Sequence, residues 1–321
     1  MLNELRFVLG AVGKKDIIAG MTAFKIQGGF VHGFNGHLAL CSPLQTSLNC
    51  APNAVAMFNA VKQCDDGEVI HLSLTPTGKL SLRAGKFKAL IDCVAVELPH
   101  VGPEGDFIAL PGKAILDSFR VLEPVVGSDA NRPWSTGIML RNGCAYATNN
   151  LIIAEYYHGH ACPDLNVPKT AVQQILKIGE EPIRAQCTTN TLTLYYADGR
   201  WLRTNLLSTQ WPDVVPILNS QNIHYALPGE FFDAVRSIHP FVDSFGLAYL
   251  QNGVIATSAA PETATASKEV TGLVAFGAYH AGMLLQLEGL AEAIDWTPYP
   301  RPATFFSQTK KIRGAIIGAK V

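Results

Sequence analysis

Three side chains able to bind a metal alternate in the segment 158–162. His158, His160 and Cys162 would share one face of a β-strand, because successive side chains of a strand point to opposite faces. Imidazole and thiolate are common zinc ligands, and Asp164 offers a fourth. No second cluster of Cys and His supports the site, and a strand end at the surface explains the same residues. Zinc binding stays an alternative, and the sequence predicts no cofactor.

A Cys-His hydrolase is the second chemistry that the residue types allow. Cys41 or Cys144 would be the nucleophile, with one of the nine histidines as its base. No spacing selects a pair, and an oxyanion hole cannot be read from the sequence. Gly28, Gly29 and Gly33 lack the order of a phosphate-binding loop. We therefore predict no catalytic residue, and keep a metal- or Cys-dependent enzyme on a repeated α+β scaffold as the alternative.

The composition indicates a well-packed protein of two or three domains. The chain has 321 residues, of which 48% are hydrophobic and 16% charged. Its seven cysteines contain no CxxC pair, which favours reduced thiols and a cytoplasmic location. No apolar run approaches the roughly 20 residues of a membrane span, and the first residues do not resemble a signal peptide. A net charge of −1 argues against a basic DNA-coating protein but allows charges sorted by face.

A long internal repeat organises these residues. Ala-Leu-Pro-Gly occurs at 109–112 and again at 226–229, roughly a third of the chain apart. The segment 29–40 aligns without gaps on 143–154, and a weaker third copy spans 252–257. Loops rich in Gly, Pro and Asn separate three predicted domains of one α+β fold. These domains are 1–104, 105–215 and 216–321.

Each third is predicted to contain two half-units, each an amphipathic helix followed by short strands. Two hairpins are predicted from alternating apolar residues, at 71–83 around a Thr-Pro-Thr-Gly turn and at 191–196 before Ala-Asp-Gly. Proline suits a first helical turn, so most helices are predicted to follow a proline. The six predicted helices are Leu2–Val12, those after Pro52, Pro111, Pro168 and Pro228, and one near Tyr279–Leu290.

Several of these segments, in order, resemble a known family. The Pro-initiated segment Val167–Lys177, the hairpin Thr191–Tyr196 and the turn Trp211–Val214 are similar to segments of the bacterial DNA polymerase III beta subunit, the sliding clamp. The family has Phe-Pro-Asp-Tyr at the turn. Ala147–Ala154 is similar to its Ala-Thr-Asp-Gly-His-Arg-Leu-Ala strand, and Ala315–Val321 lies where the family ends in a short apolar strand.

The chain also departs from the family pattern. The Gly, His and Arg of the family strand are Asn150, Leu151 and Ile152 here, and the terminal Pro-Met-Arg is Gly318-Ala319-Lys320. The chain is shorter than typical cellular members. These departures indicate a divergent clamp, for which a phage origin is considered.

The resemblance implies a DNA sliding clamp and polymerase processivity factor without catalysis. Helices would line the inner wall of a ring, antiparallel sheets would form the outer wall, and two chains would close a pseudo-sixfold homodimer around duplex DNA. Contacts to phosphates would be weak and without base readout, because base-edge hydrogen bonds would stall sliding. A protein-interaction scaffold of the same fold that does not bind DNA is a further alternative.

Candidate DNA contacts come from loops and predicted helices. Lys14 and Lys15 match a basic loop of the family, and Arg132 and Trp134 match its basic-aromatic loop. The fifth helix has Glu230 and Asp233 against Arg236, and Glu288 is predicted to have no basic partner. The remaining candidates lie on predicted helices and are Lys62, Lys113, Arg120, Lys169, Lys177 and Arg236.

The resemblance also implies a pocket between the second and third domains. It would accept an extended peptide from a DNA polymerase or clamp loader. Tyr279 is the preferred candidate, since an amphipathic aromatic ring suits a peptide groove. The residues assigned by position are Thr148, Leu151, Ile153, Pro216, Tyr279, Ile316 and Ile317.

Overall fold

The structure is a computed structural model with helices and antiparallel strands in alternation. It describes residues 1–15, 19–65, 67–95, 99, 101–220, 223–251, 253–308 and 311–321. Asn252, at the start of the predicted third copy, lies outside these residues. The described helices are α1 (Leu2–Val8), α2 (Ala54–Lys62), α3 (Gly112–Leu122), α4 (Lys169–Ile178), α5 (Val215–Leu218), α6 (Phe231–Ile238) and α7 (Ala281–Gln286).

Local sequence explains where several helices begin. α2 follows Asn53, whose side chain accepts a hydrogen bond from the Ala56 N–H at 2.9 Å and so caps the helix. α3 and α4 begin directly after Pro111 and Pro168, as predicted. α6 buries Phe231, Ala234, Val235 and Ile238, a spacing that places them on one face.

Two helix predictions need correction. The first helix is α-helical only to Val8, and a 3-10 turn continues it from Leu9 to Ala11. The helix expected near Tyr279–Leu290 is only the six-residue α7, and Tyr279 lies in the strand before it.

The strands in chain order have short lengths typical of antiparallel sheets. They are β1 (Lys25–Gln27), β2 (Phe30–Phe34), β3 (Leu38–Pro43), β4 (His71–Leu74), β5 (Leu80–Ala84), β6 (Phe87–Ile91), β7 (Asp106–Ile108), β8 (Gly137–Arg141), β9 (Cys144–Thr148), β10 (Ile152–Tyr157), β11 (Leu165–Pro168), β12 (Arg184–Cys187), β13 (Thr191–Tyr195), β14 (Trp201–Asn205), β15 (Tyr225–Ala226), β16 (Leu247–Gln251), β17 (Val254–Ala256), β18 (Ser267–Glu269), β19 (Gly277–His280), β20 (Ala293–Ile294), β21 (Ala303–Ser307) and β22 (Ile312–Ile316).

Two large sheets are built on the same plan. The first sheet has the order β1-β2-β3-β14-β13-β12-β7, and the second has β11-β8-β9-β10-β22-β21-β20-β15. Apart from the extra strand β11, the orders correspond strand by strand. The hairpin β2–β3 and the hairpin β9–β10 have identical lengths, which confirms the gapless alignment of 29–40 on 143–154.

Each large sheet joins strands far apart in sequence. In the first sheet β3 pairs with β14, with Cys41 opposite Trp201. In the second sheet β10 pairs with β22, with Glu155 opposite Arg313. Two smaller sheets have the orders β4-β5-β6 and β18-β17-β16-β19.

The chain divides into two compact units. The first consists of Met1–Leu116 with Thr170–Leu206, and the second of Asp117–Lys169 with Leu207–Val321. Each unit therefore contains strands from two of the three predicted domains, and the division at 104/105 and 215/216 stays a prediction. Within the described ranges, no helix has the length and apolar character needed to cross a bilayer.

Candidate functional site

A cavity of about 280 Å³ opens in the second unit beside the turn between β9 and β10. We call it the groove. Its size suits a few side chains of a peptide better than a large ligand. The lining residues come from the segments before β8 and β21, the turn and the start of β10, the segment before and within α5, and the end of β22. They are Arg132, Trp134, Thr148, Asn150, Leu151, Ile152, Ile153, Pro212, Asp213, Val214, Ile217, Pro302, Ala315 and Ile317.

Side-chain hydrogen bonds hold the turn that forms one wall of the groove. Asn149 Oδ1 accepts from the N–H groups of Leu151 (3.0 Å) and Ile152 (2.8 Å). Thr148 Oγ1 donates to the Ile152 carbonyl at 2.6 Å and accepts from the Asn150 N–H at 3.0 Å. Asn150 has a φ of 74°, a left-handed conformation that Asn tolerates better than most residues. The turn is therefore a defined part of the wall.

The same turn is tied to helix α7. Asn149 Nδ2 donates to Gln286 Oε1 at 2.8 Å. This bond joins two parts of the second unit that are far apart in sequence, so the turn depends on tertiary contacts as well as on its own residues.

An ion pair between two strands of the second sheet is connected to helix α5, which forms another part of the groove wall. Arg313 donates from Nε to Glu155 Oε1 at 2.6 Å and from Nη2 to Oε2 at 2.9 Å. Its Nη1 donates to Asn219 Oδ1 at 2.6 Å, and Asn219 directly follows α5. Because α5 has only four residues, it cannot be stable alone, and this bond helps to hold Ile217 at the groove.

The ion pair also affects its neighbours. The hydrogen bond to Glu155 raises the pKa of Arg313, so the guanidinium stays charged. Burial, followed by the charge of Glu155, raises the pKa values of Cys144 and Tyr146. Both side chains are therefore neutral near pH 7, and Glu155 and Arg313 carry the charges of this cluster.

The rest of the groove lining is mainly apolar. Trp134 packs edge-on against Trp211, with ring centroids 5.3 Å apart. The lining set contains one cation, Arg132, which lies 3.8 Å from Asp129, and one anion, Asp213, which accepts from the Val215 N–H. Such a surface suits an apolar segment of a partner rather than a highly charged one.

The predicted pocket residues divide into two sets. Four of them line the groove, namely Thr148, Leu151, Ile153 and Ile317. Ile316 is buried because side chains alternate along β22, so its neighbours Ala315 and Ile317 face the groove instead. Pro216 is exposed on α5 and is not part of the lining.

Tyr279, the preferred pocket residue, needs correction. Its side chain is completely buried and packs against Trp296 and Tyr299, with ring centroids 5.1 and 5.9 Å apart. Burial also raises the pKa of its hydroxyl. A ring inside the core cannot contact a partner, and the amphipathic character of Tyr alone did not distinguish core from groove.

Sequence reasoning missed part of the lining and assigned two residues to another role. Arg132 and Trp134 were predicted to contact DNA, and the structure places both at the groove. Most of the missed residues lie within the matched segments, which were the available signal, whereas Ile217 and Pro302 lie outside them. They are Asn150, Ile152, Pro212, Asp213, Val214, Ile217, Pro302 and Ala315.

Most of the other predicted DNA contacts are exposed. Lys169 is half-buried and donates to the Val126 carbonyl at 3.0 Å, which leaves it poorly available. Arg236 pairs with Asp233 and, at 2.6 Å, with Glu288, so the prediction that Glu288 has no basic partner is wrong. Arg120 lies 3.5 Å from Asp117. The exposed members are Lys14, Lys15, Lys62, Lys113, Arg120, Arg132, Lys177 and Arg236, with Trp134 half-buried.

The two enzyme alternatives find little support. The rings of His158 and His160 stack 6.1 Å apart, and Asp164 pairs with Arg141 at 2.6 Å. Among the residues described, no three His, Cys, Asp or Glu side chains are grouped to hold a metal ion. Cys41 Sγ lies 3.9 Å from His32 Nε2, but burial raises the pKa of this thiol to about 12. A buried, neutral thiol is a poor nucleophile.

No protein-family model and no curated protein sequence matches the chain. Solved structures do match it along its whole length. The polymerase beta subunit of Streptococcus pyogenes has a TM-score of 0.85 and 14% identity, and the match covers 100% of this chain and 97% of that chain. This chain has the fold of the bacterial DNA polymerase III beta sliding clamps. The predicted α+β sliding-clamp fold is thereby confirmed.

Two further sliding clamps match over 100% of this chain and 97% of their own. The clamp of Caulobacter crescentus has a TM-score of 0.85 and 15% identity, and its structure has polyethylene glycol bound to a putative beta-motif tethering region. The clamp of Bartonella birtlesii has a TM-score of 0.84 and 14% identity, and it is bound to griselimycin.

Proposed function

We propose that this protein is a DNA sliding clamp, a non-catalytic processivity factor that encircles duplex DNA and tethers replication proteins. One observation carries the proposal, namely that the sliding-clamp fold extends over the entire chain. Its work would be done in the cytoplasm of a bacterial cell, which would be the host cell if the gene belongs to a phage. Tethering increases the local concentration of a polymerase at the template without a high affinity at any one contact.

Ring closure would require two copies of the chain. Strand β4 lies at one end of the three-stranded sheet and β18 at one end of the four-stranded sheet. An unpaired edge strand readily adds a strand from another chain, and two head-to-tail pairings of β4 with β18 would leave neither edge free.

Apolar side chains are exposed on the first edge strand and in the unit that contains the second. Leu74 on β4 is 43% exposed, and Phe245, shortly before β16, is 75% exposed. Lys268 and Glu269 are both exposed on β18, so charge does not select this pairing, and the contact would depend on backbone hydrogen bonds and apolar side chains.

The ring hypothesis is tested by the mass of the protein in solution. Light scattering is expected to give twice the chain mass of 34.6 kDa for the wild type. Leu74→Asp is expected to give monomers, because a carboxylate on the β4 edge would be buried against apolar side chains of the second copy. Ile183→Asp, at a residue that is 64% exposed elsewhere in the first unit, is the control and should remain dimeric. A monomeric wild type at micromolar concentration would argue against the ring.

DNA contact is expected to be weak and sensitive to salt. Several of the candidate cations are partly neutralised, as Arg236 is by Asp233 and Glu288. Retention on DNA would therefore depend on encirclement more than on charge.

Retention on circular DNA tests the function itself. The protein is mixed with nicked circular DNA under conditions where subunits exchange, and is then washed in high salt. We expect it to remain on circles and to leave within minutes of linearisation. Equal loss from circular and linear DNA would contradict the proposal and favour an interaction scaffold that does not encircle DNA.

The groove is proposed to bind short peptide segments of a polymerase or a clamp loader. Its apolar lining and its place beside the matched Ala147–Ala154 segment support this assignment. Griselimycin provides a small probe, since it binds the Bartonella birtlesii clamp. We expect it to change the fluorescence of the wild type through Trp134. Leu151→Arg, which places a long cation in the groove, should abolish the change.

A further inference from the structure

We propose that Asn150 determines the specificity of the groove by accepting a hydrogen bond from an N–H group of an extended, otherwise apolar partner segment. The inference rests on the proposed peptide-binding function of the groove. It concerns a residue that departs from the glycine of the family strand.

A second turn of the chain has the same side-chain hydrogen bonds but has glycine at the position of Asn150. Between β2 and β3, Asn35 Oδ1 accepts from the N–H groups of His37 (3.2 Å) and Leu38 (2.9 Å), as Asn149 does for Leu151 and Ile152. The position equivalent to Asn150 is Gly36, which also has a positive φ, 96° against 74°. The turn therefore needs a residue that tolerates a positive φ, and glycine meets this need without a side chain.

The space beside the two turns differs. In the first sheet, a Cβ atom at Gly36 would lie 3.2 Å from the methyl group of Met21, so a side chain there has little room. In the second sheet, the side chain of Asn150 lines the open groove. The carboxamide is thus placed where a bound segment would lie.

The carboxamide of Asn150 has an unused hydrogen-bonding capacity. Its Oδ1 atom is buried and has no hydrogen-bond partner. A buried acceptor without a partner lowers stability, and such atoms in native proteins often belong to binding sites. Glycine at this position would avoid the cost, so the side chain has no evident structural benefit for the free protein.

The surroundings of Asn150 indicate what would satisfy this atom. Leu151, Ile153 and Ile317 provide apolar contacts in the same groove. An extended peptide presents apolar side chains and, between them, N–H groups of its backbone or of an amide side chain. A segment of this chemistry would fill the apolar part of the groove, and rotation of the Asn150 carboxamide about its Cβ–Cγ bond would bring Oδ1 to the surface to accept from the segment.

The test uses random heptapeptides displayed on phage and selected on the full-length protein. Selected peptides that lose binding to the Leu151→Arg variant are taken as groove ligands, and their affinities are measured by fluorescence polarisation. Asn150→Gly keeps a residue suited to the positive φ but removes the acceptor. The matched control is Asn142→Gly, because Asn142 also has a positive φ (51°) in the same unit but is not part of the groove lining.

We expect Asn150→Gly to weaken these peptides about tenfold, the usual effect of leaving a buried hydrogen-bonding group unpaired in a complex. The melting temperature should stay equal or rise slightly, because an unpaired acceptor has been removed; a purely structural role predicts a fall. Asn142→Gly should leave the affinity unchanged.

The outcomes distinguish the role of Asn150 from the assignment of the groove as a peptide-binding site. Equal affinity of Asn150→Gly and the wild type for groove peptides overturns the role of Asn150 and leaves the groove assignment intact. A selection that gives no peptide sensitive to Leu151→Arg overturns both. Retention on circular DNA tests the clamp function independently of either result.

Discussion

The first and second sheets share a strand order and a hairpin geometry, but the described residues leave cavities of different size beside their turns. The corresponding cavity of the first sheet has a volume of about 30 Å³, against about 280 Å³. Phe34 lines the small cavity, and the equivalent residue in the second sheet is the smaller Thr148. The smaller cavity is thus lined by the larger side chain at this equivalent position.

The comparison extends to the pair that joins each hairpin to a distant strand. In the first sheet Cys41 faces Trp201, and both belong to an apolar cluster. In the second sheet the equivalent pair is Glu155 and Arg313, which reaches α5 through Asn219. The same backbone plan therefore supports two local environments, and the side chains at a few positions decide where a ligand can bind.

The largest effect is expected from breaking the ion pair of the second sheet. Arg313→Ala should lower the free energy of unfolding by about 2–4 kcal/mol, because Glu155 would remain buried without a partner. Glu155→Cys with Arg313→Trp installs the apolar pair of the first sheet and should recover most of the loss. Urea denaturation measures both. A loss below about 0.5 kcal/mol for Arg313→Ala would contradict the importance of the pair.

The second effect comes from closing the groove. Thr148→Phe gives the second sheet the large residue of the first. It should weaken the binding of groove peptides by about tenfold or more, because the ring would fill part of the groove and the turn would lose the hydrogen bonds of Thr148. Phe34→Thr is the reciprocal control and should leave peptide affinity unchanged. Binding that survives Thr148→Phe would mean that the peptides occupy another surface.

A smaller difference is expected in the stability that the two turns contribute through their asparagine side chains. Asn35→Ala removes the side-chain bonds to His37 and Leu38 and should cost about 1 kcal/mol of unfolding free energy. Asn149→Ala removes the equivalent bonds and also the one to Gln286, so it should cost about 1 kcal/mol more. Parallel urea titrations test the difference, and equal losses would show that the bond to Gln286 contributes no stability.

The smallest expected effect is a change in the pH dependence of folding stability. His158 is equivalent to Leu44, and each donates its N–H to a glycine carbonyl, of Gly143 and Gly29 respectively. Burial lowers the pKa of His158, so its neutral form is favoured in the folded state. The stability that the neutral form of His158 provides is complete above the unfolded pKa of about 6.5. It is lost as the pH falls from that value through the lower pKa of the folded state.

His158→Leu should therefore reduce the loss of stability between pH 7 and pH 5. The difference should be only about 0.3 kcal/mol, because the ring is partly exposed and solvent reduces the effect. Thermal unfolding at several pH values measures it. An unchanged pH dependence would indicate that His158 titrates normally.

Local patterns in the sequence were sufficient for the repeat, the hairpins and most helix starts. Alternating apolar residues and turn residues act over a few positions, so the hairpins at β4–β5 and β13–β14 could be recognised without a structure. The alignment of 29–40 on 143–154 likewise predicted two equivalent strand segments. The order of motifs was enough to predict the sliding-clamp fold.

Only the tertiary structure decided which residues form the groove. The sequence favoured Tyr279 over Leu151 as a groove residue, but the packing of Trp296 and Tyr299 buries Tyr279 completely, while Leu151 stays exposed. The pairing of Glu155 with Arg313 and of Arg236 with Glu288 joins residues distant in sequence. Such contacts depend on how strands and helices pack, which short-range periodicity does not encode.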